Sequence, residues 1–324
     1  MSFVKKSTRC IVGVGDAGSR ITIDVIGQIN SDYLLITNNS YKTWNSDRTV
    51  KIDFRNIINP SHDLMRKAFL DSADNIIRKI YEYQSVILIG NLASRFGAAI
   101  LPMLAQMLRT KTNIEIVCVA ILPFSFEKEK LFRCGVSLSL LSRYIENIIV
   151  IDNDAVLRKN HDIPLDEHLK TTNQAISDII IESINKTFPI KFNLISTSGI
   201  RSPSLKDAFL ETFSSLTEKI NLSDIQKYSL YLYQPNASIS AIKNMVESSN
   251  NLLPSAQQEL NLMSEKNGQT RCHIMVKTDH SIISLYDPLN LFIPKNNILD
   301  FEPEIAMDEV KLNNIRDLES SLLI

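Results

Sequence analysis

Apolar residues in this chain follow two rhythms. Short, mostly apolar runs at residues 9–14, 33–36, 86–89, 114–122 and 148–151 have the length and β-branching of buried strands. Between them apolar residues recur at helical spacing. Ile21, Val25 and Ile29 mark a first helix, and Leu64, Ala68, Ile76, Ile77 and Ile80 a second over residues 62–81, with Ser61 as its cap after Asn59-Pro60. An apolar helix follows Gly90 to about residue 108, and Leu131, Leu138 and Leu141 turn inward over residues 130–144. Residues 50–54 read as a further short strand. This alternation predicts an α/β fold with a doubly wound, mostly parallel sheet, whose ligands bind at the carboxyl ends of the strands. The polar loops Thr37-Asn38-Asn39-Ser40 and Asp152-Asn153-Asp154 lie at such ends.

Residues 165–187 read as one long helix, apolar at Leu169, Ala175, Ile176, Ile179, Ile180 and Ile184 and stopped by Pro189. After it the order is helix (205–220), strand (228–233), helix (238–247, capped by Ser238) and two strands, 271–277 and 281–286, forming a hairpin at His280. The predicted organisation is a nucleotide-binding-type domain at 1–164, a central helix at 165–187, a smaller α+β domain at 188–299 and an acidic, then amphipathic tail at 300–324. In the tail Leu312, Ile315, Leu318 and Leu322 keep helical spacing, so it docks on the body or on a partner protein.

Composition narrows the function classes. A net charge of −1 over 324 residues gives no whole-chain field, so nucleic acid is not expected as a partner. No apolar run reaches transmembrane length and the first residues lack a signal-peptide core, which predicts a cytoplasmic protein without direct membrane insertion. The four cysteines show no metal-ligand spacing; Cys10 and Cys118 lie in strand-like runs and read as buried free thiols.

Two turns carry candidate chemistry. Three of the nine glycines fall in Gly13-Val14-Gly15-Asp16-Ala17-Gly18, between a strand and a helix. This is the layout of a phosphate-binding turn, and equally of a tight turn that packs a helix on a strand. Asp16 repels a phosphate unless a cation intervenes. The second turn, after residues 86–89, leads into a helix whose first N–H groups make an anion site.

Four stretches, in order, resemble the FtsZ/tubulin superfamily, and FtsZ more than tubulin. They are residues 13–19; Gly97-Ala98-Ala99 with Pro102; Pro123-Phe124-Ser125-Phe126-Glu127, which matches the PFxFE segment; and residues 151–157, IDNDAVL. The resemblance implies a GTP-binding first domain, a second domain that completes the next subunit's active site, and head-to-tail protofilaments. It assigns phosphate contacts to Gly13, Gly15, Gly18 and Ser19, with Asp16 in place of a glycine. It puts Glu127 on the ribose, Asn153 on the nucleotide and Asn173 on the base, where an amide can pair with guanine. The family's arginine falls on Leu131, with Lys130 or Arg133 as stand-ins. The bland alternatives are helix caps at Glu127 and Asn153 and a solvated Asn173.

The departures bear on activity. The signature GGGTGTG becomes Asn91-Leu92-Ala93-Ser94-Arg95-Phe96-Gly97, with Ser94 for a threonine and Gly97 the last glycine kept. Leu92, Ala93 and Phe96 bring Cβ atoms where the family's backbone approaches phosphate. Arg95 is either a replacement phosphate ligand or a surface or interface arginine. In the family's catalytic loop NxDxxD, read here as residues 189–199, Asn193 matches the asparagine. The aspartate places fall near Ile195 and Ser198, and no Asp or Glu occurs between Glu182 and Asp207. The favoured expectation is an FtsZ-like filament protein or regulator in division or cell shape, binding GTP or GDP weakly or not at all and partnering itself or an FtsZ-type protein. The alternatives are a working GTPase with substituted site residues, and an unrelated α/β nucleotide-binding protein.

Overall fold

The computed structural model describes residues 8–39, 45–54, 60–124, 126–151, 153, 164–185, 194–198, 202–217, 220–235, 237–263 and 270–278. The strands are β1 (Arg9–Val14), β2 (Asp32–Thr37), β3 (Thr49–Lys51), β4 (Ser85–Asn91), β5 (Glu115–Ile121), β6 (Asn147–Ile151), β7 (Leu194–Thr197), β8 (Ile225–Tyr233), β9 (Gln257–Met263) and β10 (Arg271–Thr278). The helices are α1 (Gly15–Ile26), α2 (His62–Ile80), α3 (Arg95–Lys111), α4 (Lys128–Tyr144), α5 (Leu165–Asn185), α6 (Leu205–Thr217) and α7 (Ile239–Leu252).

These strands form one sheet in the order β3-β2-β1-β4-β5-β6-β7-β10-β8-β9. From β3 to β7 every neighbour is parallel; β10 runs antiparallel to β7 and β8, and β9 parallel to β8. The chain steps outward from β1 to β3 and then returns to place β4 on the other side of β1. The order therefore reverses between β1 and β4, the crevice where open parallel sheets take ligands.

Alternation along the strands sorts the core into two layers. Cys10, Val12 and Val14 of β1 join Phe69 of α2, Leu101 of α3, Leu138 of α4 and Phe209 of α6 on one face. Ile11 and the isoleucines and valines of the neighbouring strands meet Ile21 and Val25 of α1 and Ile176, Ile179 and Ile180 of α5 on the other. All four cysteines are free and buried.

Several elements differ from the sequence pattern. The strand expected to end at Ile89 continues through Gly90 and Asn91, because both pair with β5. In the 50–54 segment strand geometry stops at Lys51, though Ile52 and Phe54 are buried. Residues 194–197, read as loop, are β7, inserted between β6 and β10 with all four side chains buried. β9 was not expected: QQELNLM is polar, and pairing with β8 makes it a strand. The strand at 281–286, His280, residues 186–193 and the tail lie outside the described residues. Among the described residues no helix is long and apolar enough to cross a membrane.

Candidate functional site

The β1–α1 turn is set by its glycines. Gly15 has φ +72, in the region that favours glycine. Gly18 answers to space, since a Cβ there would lie 2.2 Å from the Ile89 carbonyl oxygen; at Gly13 a Cβ would lie 2.7 Å from that of Gly18. Close packing of α1 on β1 and β4 thus accounts for two of the three. Asp16 opens α1 and points at the end of β2, where its carboxylate accepts from Thr37 Oγ1 at 3.2 Å and Asn39 Nδ2 at 2.6 Å. Ser19 is fully buried and its Oγ has no hydrogen-bond partner among the described residues.

The β4–α3 turn lies beside the first. Phe96 reaches back so that its Cδ1 would be 3.4 Å from a Cβ on Gly15, and its ring meets Phe54 edge-on at 6.0 Å. The turn binds itself. Asn91 Oδ1 accepts from the Ala93 N–H at 2.8 Å. Ser94, the N-cap of α3, accepts from the Gly97 N–H at 2.9 Å and donates to the Asn91 carbonyl at 2.9 Å. The Leu92 N–H donates to Ile121 of β5, and the Leu92 side chain is fully buried. Gly97 is held by space, a Cβ there falling 2.1 Å from the Asn91 carbonyl oxygen. Arg95 is exposed and makes no hydrogen bond or ion pair with a described residue.

At the ends of β5 and β6 stand two more expected residues. Glu127 occupies the N-cap position of α4 without capping it; its carboxylate accepts from the Phe124 N–H at 3.1 Å and pairs with Lys130. Phe126 is 70% exposed, stacked on Phe124 with ring centroids 5.1 Å apart. Asn153 is buried: its Nδ2 donates to the Leu122 carbonyl at 2.8 Å, while Oδ1 has no partner among the described residues. Asn173, half-buried on α5, makes no hydrogen bond with a described residue. The fold thus brings Gly13, Gly15, Gly18, Ser19, Ser94, Arg95 and Gly97 together at the β1/β4 crevice and places Glu127 and Asn153 along the same carboxyl edge.

The loop reading of 189–199 needs correction. Ile195 is buried in β7 and Ser198 follows it, fully buried, its N–H donating to the Cys272 carbonyl at 2.9 Å. Neither is on a loop open to a neighbouring subunit. Asn193 lies outside the described residues.

A second polar cluster was missed altogether. Asp178 of α5 accepts from Arg271 Nη1 at 2.7 Å, His273 Nε2 at 3.2 Å and Gln174 Nε2 at 2.8 Å. His273 Nδ1 lies 2.7 Å from Thr197 Oγ1, and the Arg271 guanidinium covers the Tyr233 ring at 4.9 Å. Burial pushes the Asp178 carboxyl up, but hydrogen bonding and charge from His273, with Arg271 and Gln174, outweigh it and hold it below the usual carboxylate range. Burial pulls His273 down more than Asp178 raises it, which favours the neutral ring; Nε2 faces the Asp178 carboxylate, and Nδ1 lies against the Thr197 hydroxyl, which is also within 3.1 Å of the Ser198 carbonyl as a donor. A hydroxyl, an imidazole and a carboxylate in line are a familiar relay, but His273 is 1% exposed and no substrate reaches it. The sequence held two faint signals: one Asp in the apolar face of a helix, and Arg and His two apart in an apolar strand. Among the described residues no group of three or more His, Cys, Asp or Glu could hold a metal ion.

Comparison with known proteins agrees with this geometry. Residues 53–161 match the model of the Tubulin/FtsZ family GTPase domain. No curated protein matches the chain by sequence. Among solved structures it is similar to an empty FtsZ dimer from M. jannaschii (18% identity, TM-score 0.67, 84% of this chain and 88% of that one). It is also similar to CetZ from Methanosaeta thermophila (15%, 0.63, 97% and 98%). A third is the GTPγS-bound protofilament of CetZ2 from Haloferax volcanii (15%, 0.61, 86% and 96%). At these identities the likeness is one of fold.

Proposed function

We propose that this chain, whose residues 53–161 match the Tubulin/FtsZ family GTPase domain and whose fold is like that of FtsZ and CetZ, is a cytoskeletal protein that stacks head to tail, with a nucleotide cleft degenerate on its phosphate side. In this reading it binds GTP or GDP weakly and does not hydrolyse GTP. Residues 1–164 are the GTPase-type domain, 165–187 the connecting helix and 188–299 the domain offered to the next subunit. It acts in the cytoplasm, in division or cell shape.

One observation carries the reading: the β4–α3 turn ties up the Ala93, Ser94 and Gly97 N–H groups within itself. A phosphate loop needs N–H groups aimed at empty space. Here the Ala93 and Gly97 N–H groups already serve Asn91 and Ser94, and Phe96 leans over Gly15. Asp16 adds a carboxylate at the N-terminus of α1, held by Thr37 and Asn39, where the family would receive negative charge. The absence of Asp or Glu between Glu182 and Asp207 supports loss of hydrolysis, since Ser and Thr are poor bases at neutral pH. Asn173, half-buried and without a hydrogen bond to a described residue, remains available for the nucleoside, while Glu127 and Asn153 are engaged with the backbone at Phe124 and Leu122. Self-stacking draws on the fold shared with a CetZ2 protofilament; a heterologous interface gives a filament when its rotation does not close.

A second reading has a specific observation behind it. Arg95 stands exposed and unpaired among the described residues, at the N-terminus of α3. A guanidinium there is a good phosphate ligand and would support a working GTPase. One experiment separates the two: mass spectrometry of nucleotide extracted from purified protein, with phosphate release measured after adding GTP. Far less than one guanine nucleotide per chain and no release above background is the expected result. Stoichiometric GDP or GTP with steady release would establish the second reading.

A further inference from the structure

Charge is least even where the two halves of the chain join. Between Glu182 and Asp207 lie Lys186, Lys191, Arg201 and Lys206 and no acid, in a chain whose net charge is −1. Topology fixes where this stretch begins. Every strand from β3 to β7 is parallel to its neighbour, so the chain leaves β6 at the carboxyl edge of the sheet and enters β7 at the amino edge. α5 makes that return, with Ile176, Ile179 and Ile180 in the layer packed on the sheet. It ends at Asn185 and β7 begins at Leu194; the only charged residues between them in sequence are Lys186 and Lys191. The amino edge thus receives two cations and no carboxylate from this connection. At the opposite, carboxyl edge the β4–α3 turn offers a phosphate little, because its Ala93, Ser94 and Gly97 N–H groups are taken by Asn91 and Ser94.

We infer that, in the head-to-tail stack proposed for this chain and on which this rests, the amino-edge cations of one copy complete the phosphate side of the next copy's cleft, so that a guanine nucleotide binds between two copies and not to one. Stacking along the strand direction brings the amino edge of one sheet to the carboxyl edge of the next, and with it the segment that holds Lys186 and Lys191 to the end that carries the crevice between β1 and β4. An ammonium group is a good point charge for phosphate, and a cation lent by a neighbouring chain can serve a phosphoryl group. The exchange of charge also parts binding from hydrolysis. An acid at this contact would act on water, whereas a lysine neutralises phosphate and leaves the water without a base. A second copy is selected as the partner because the surplus of cations and the shortage of phosphate donors lie at opposite ends of one sheet, a complementarity that head-to-tail contact alone satisfies. A site built from two chains gains affinity as protein concentration rises.

The test titrates the full chain with GDP at about 1 μM and about 100 μM protein, with sedimentation run alongside. Affinity should be at least about ten-fold tighter at the higher concentration, where larger species form. Guanosine, which has no phosphate, should bind equally at both. The double variant Lys186→Gln/Lys191→Gln should lose the concentration-dependent gain, and Lys186→Arg/Lys191→Arg should keep it. Mixing the double Gln variant, which keeps its cleft, with Asn173→Leu, which keeps its lysines, should produce tight binding that neither shows alone, as a cation supplied in trans requires. Assembly with a GDP affinity indifferent to protein concentration would overturn the inference and leave the stacking reading intact. So would a double Gln variant that assembles and binds GDP as the parent does. A chain that stays monomeric at the higher concentration would overturn both, and stoichiometric GDP on the dilute monomer would overturn the inference together with the reading of a degenerate cleft.

Discussion

At the carboxyl edge of the sheet, Asn91, Ser94 and Glu127 bond backbone groups two or three residues away. At the junction of α5 and β10, Asp178 bonds Arg271 and His273 across 93 and 95 residues of chain. The first set is local and partly exposed; the second is buried and joins α5 to the sheet through charge. Local bonds of the first kind shape a turn and cost little to lose. A buried carboxylate between two cationic-capable donors is different, because its removal strands what remains. Motif-bearing residues therefore need not be the ones on which the fold leans most.

The largest expected effect follows from that contrast. Asp178→Ala leaves the Arg271 guanidinium buried without its carboxylate and should cost about 3–5 kcal/mol. Glu127→Ala, removing a half-exposed brace on the Phe124 N–H, should cost about 1 kcal/mol. Denaturant unfolding of the two variants measures both; equal losses would erase the distinction. Next comes Gly18→Ala. Its Cβ would lie 2.2 Å from a backbone carbonyl that cannot rotate away, so the loss should be about 3 kcal/mol. Gly15→Ala meets an ordinary contact distance and only an unfavourable φ, costing about 1–2 kcal/mol.

Acid offers a graded version of the first test. The folded-state pKa of His273 lies below its unfolded value, so the unfolded chain binds the extra proton first. The stability tied to the neutral ring is complete above the unfolded pKa of about 6.5 and declines as pH falls through the lowered folded value. Asp178, also lowered, contributes in the same direction at still lower pH. The melting temperature should therefore drop between pH 7.5 and pH 5, and His273→Gln, which keeps a donor toward Asp178, should flatten that drop. A profile indifferent to His273 would show that the ring is not the group titrating.

Much of this architecture was legible in the chain. Runs such as VILI at 86–89 and EIVCVAI at Glu115–Ile121 can only be central strands, and their order dictates a parallel sheet. The residues at its carboxyl edge could be named because turns there keep their spacing whatever fills them. What escaped depended on tertiary pairing. β9 has a polar sequence and is a strand because β8 lies next to it. β7 is four residues long, too short for any period to register, and its place between β6 and β10 fixes it. The Asp178 cluster combines residues from α5 and β10 that no local pattern relates. The glycines were visible, and packing of a helix on a strand was one of two readings of the first turn; what decides it, carbonyls 2.2 and 2.1 Å from a would-be Cβ at Gly18 and Gly97, exists only after packing.

The smallest effects decide what the β4–α3 turn is for. Ser94→Ala removes the cap on the Gly97 N–H and should cost about 1 kcal/mol, the loss of a structural bond, with no change in bound nucleotide. Arg95→Ala removes an exposed side chain with no described partner and should change stability by less than about 0.5 kcal/mol. Its informative readout is guanine nucleotide affinity, followed by calorimetry at fixed low salt. If α3 has lost its phosphate role, Arg95→Ala leaves a weak affinity where it was, because the remaining contacts are to the nucleoside. If the guanidinium has taken over from the missing glycines, the substitution removes a charge-assisted bond to phosphate, and affinity falls at least about ten-fold while the melting temperature stays put. A pure binding loss without a stability loss cannot arise from a turn that serves only to pack α3 on β4, so that single result would reverse the reading of the cleft.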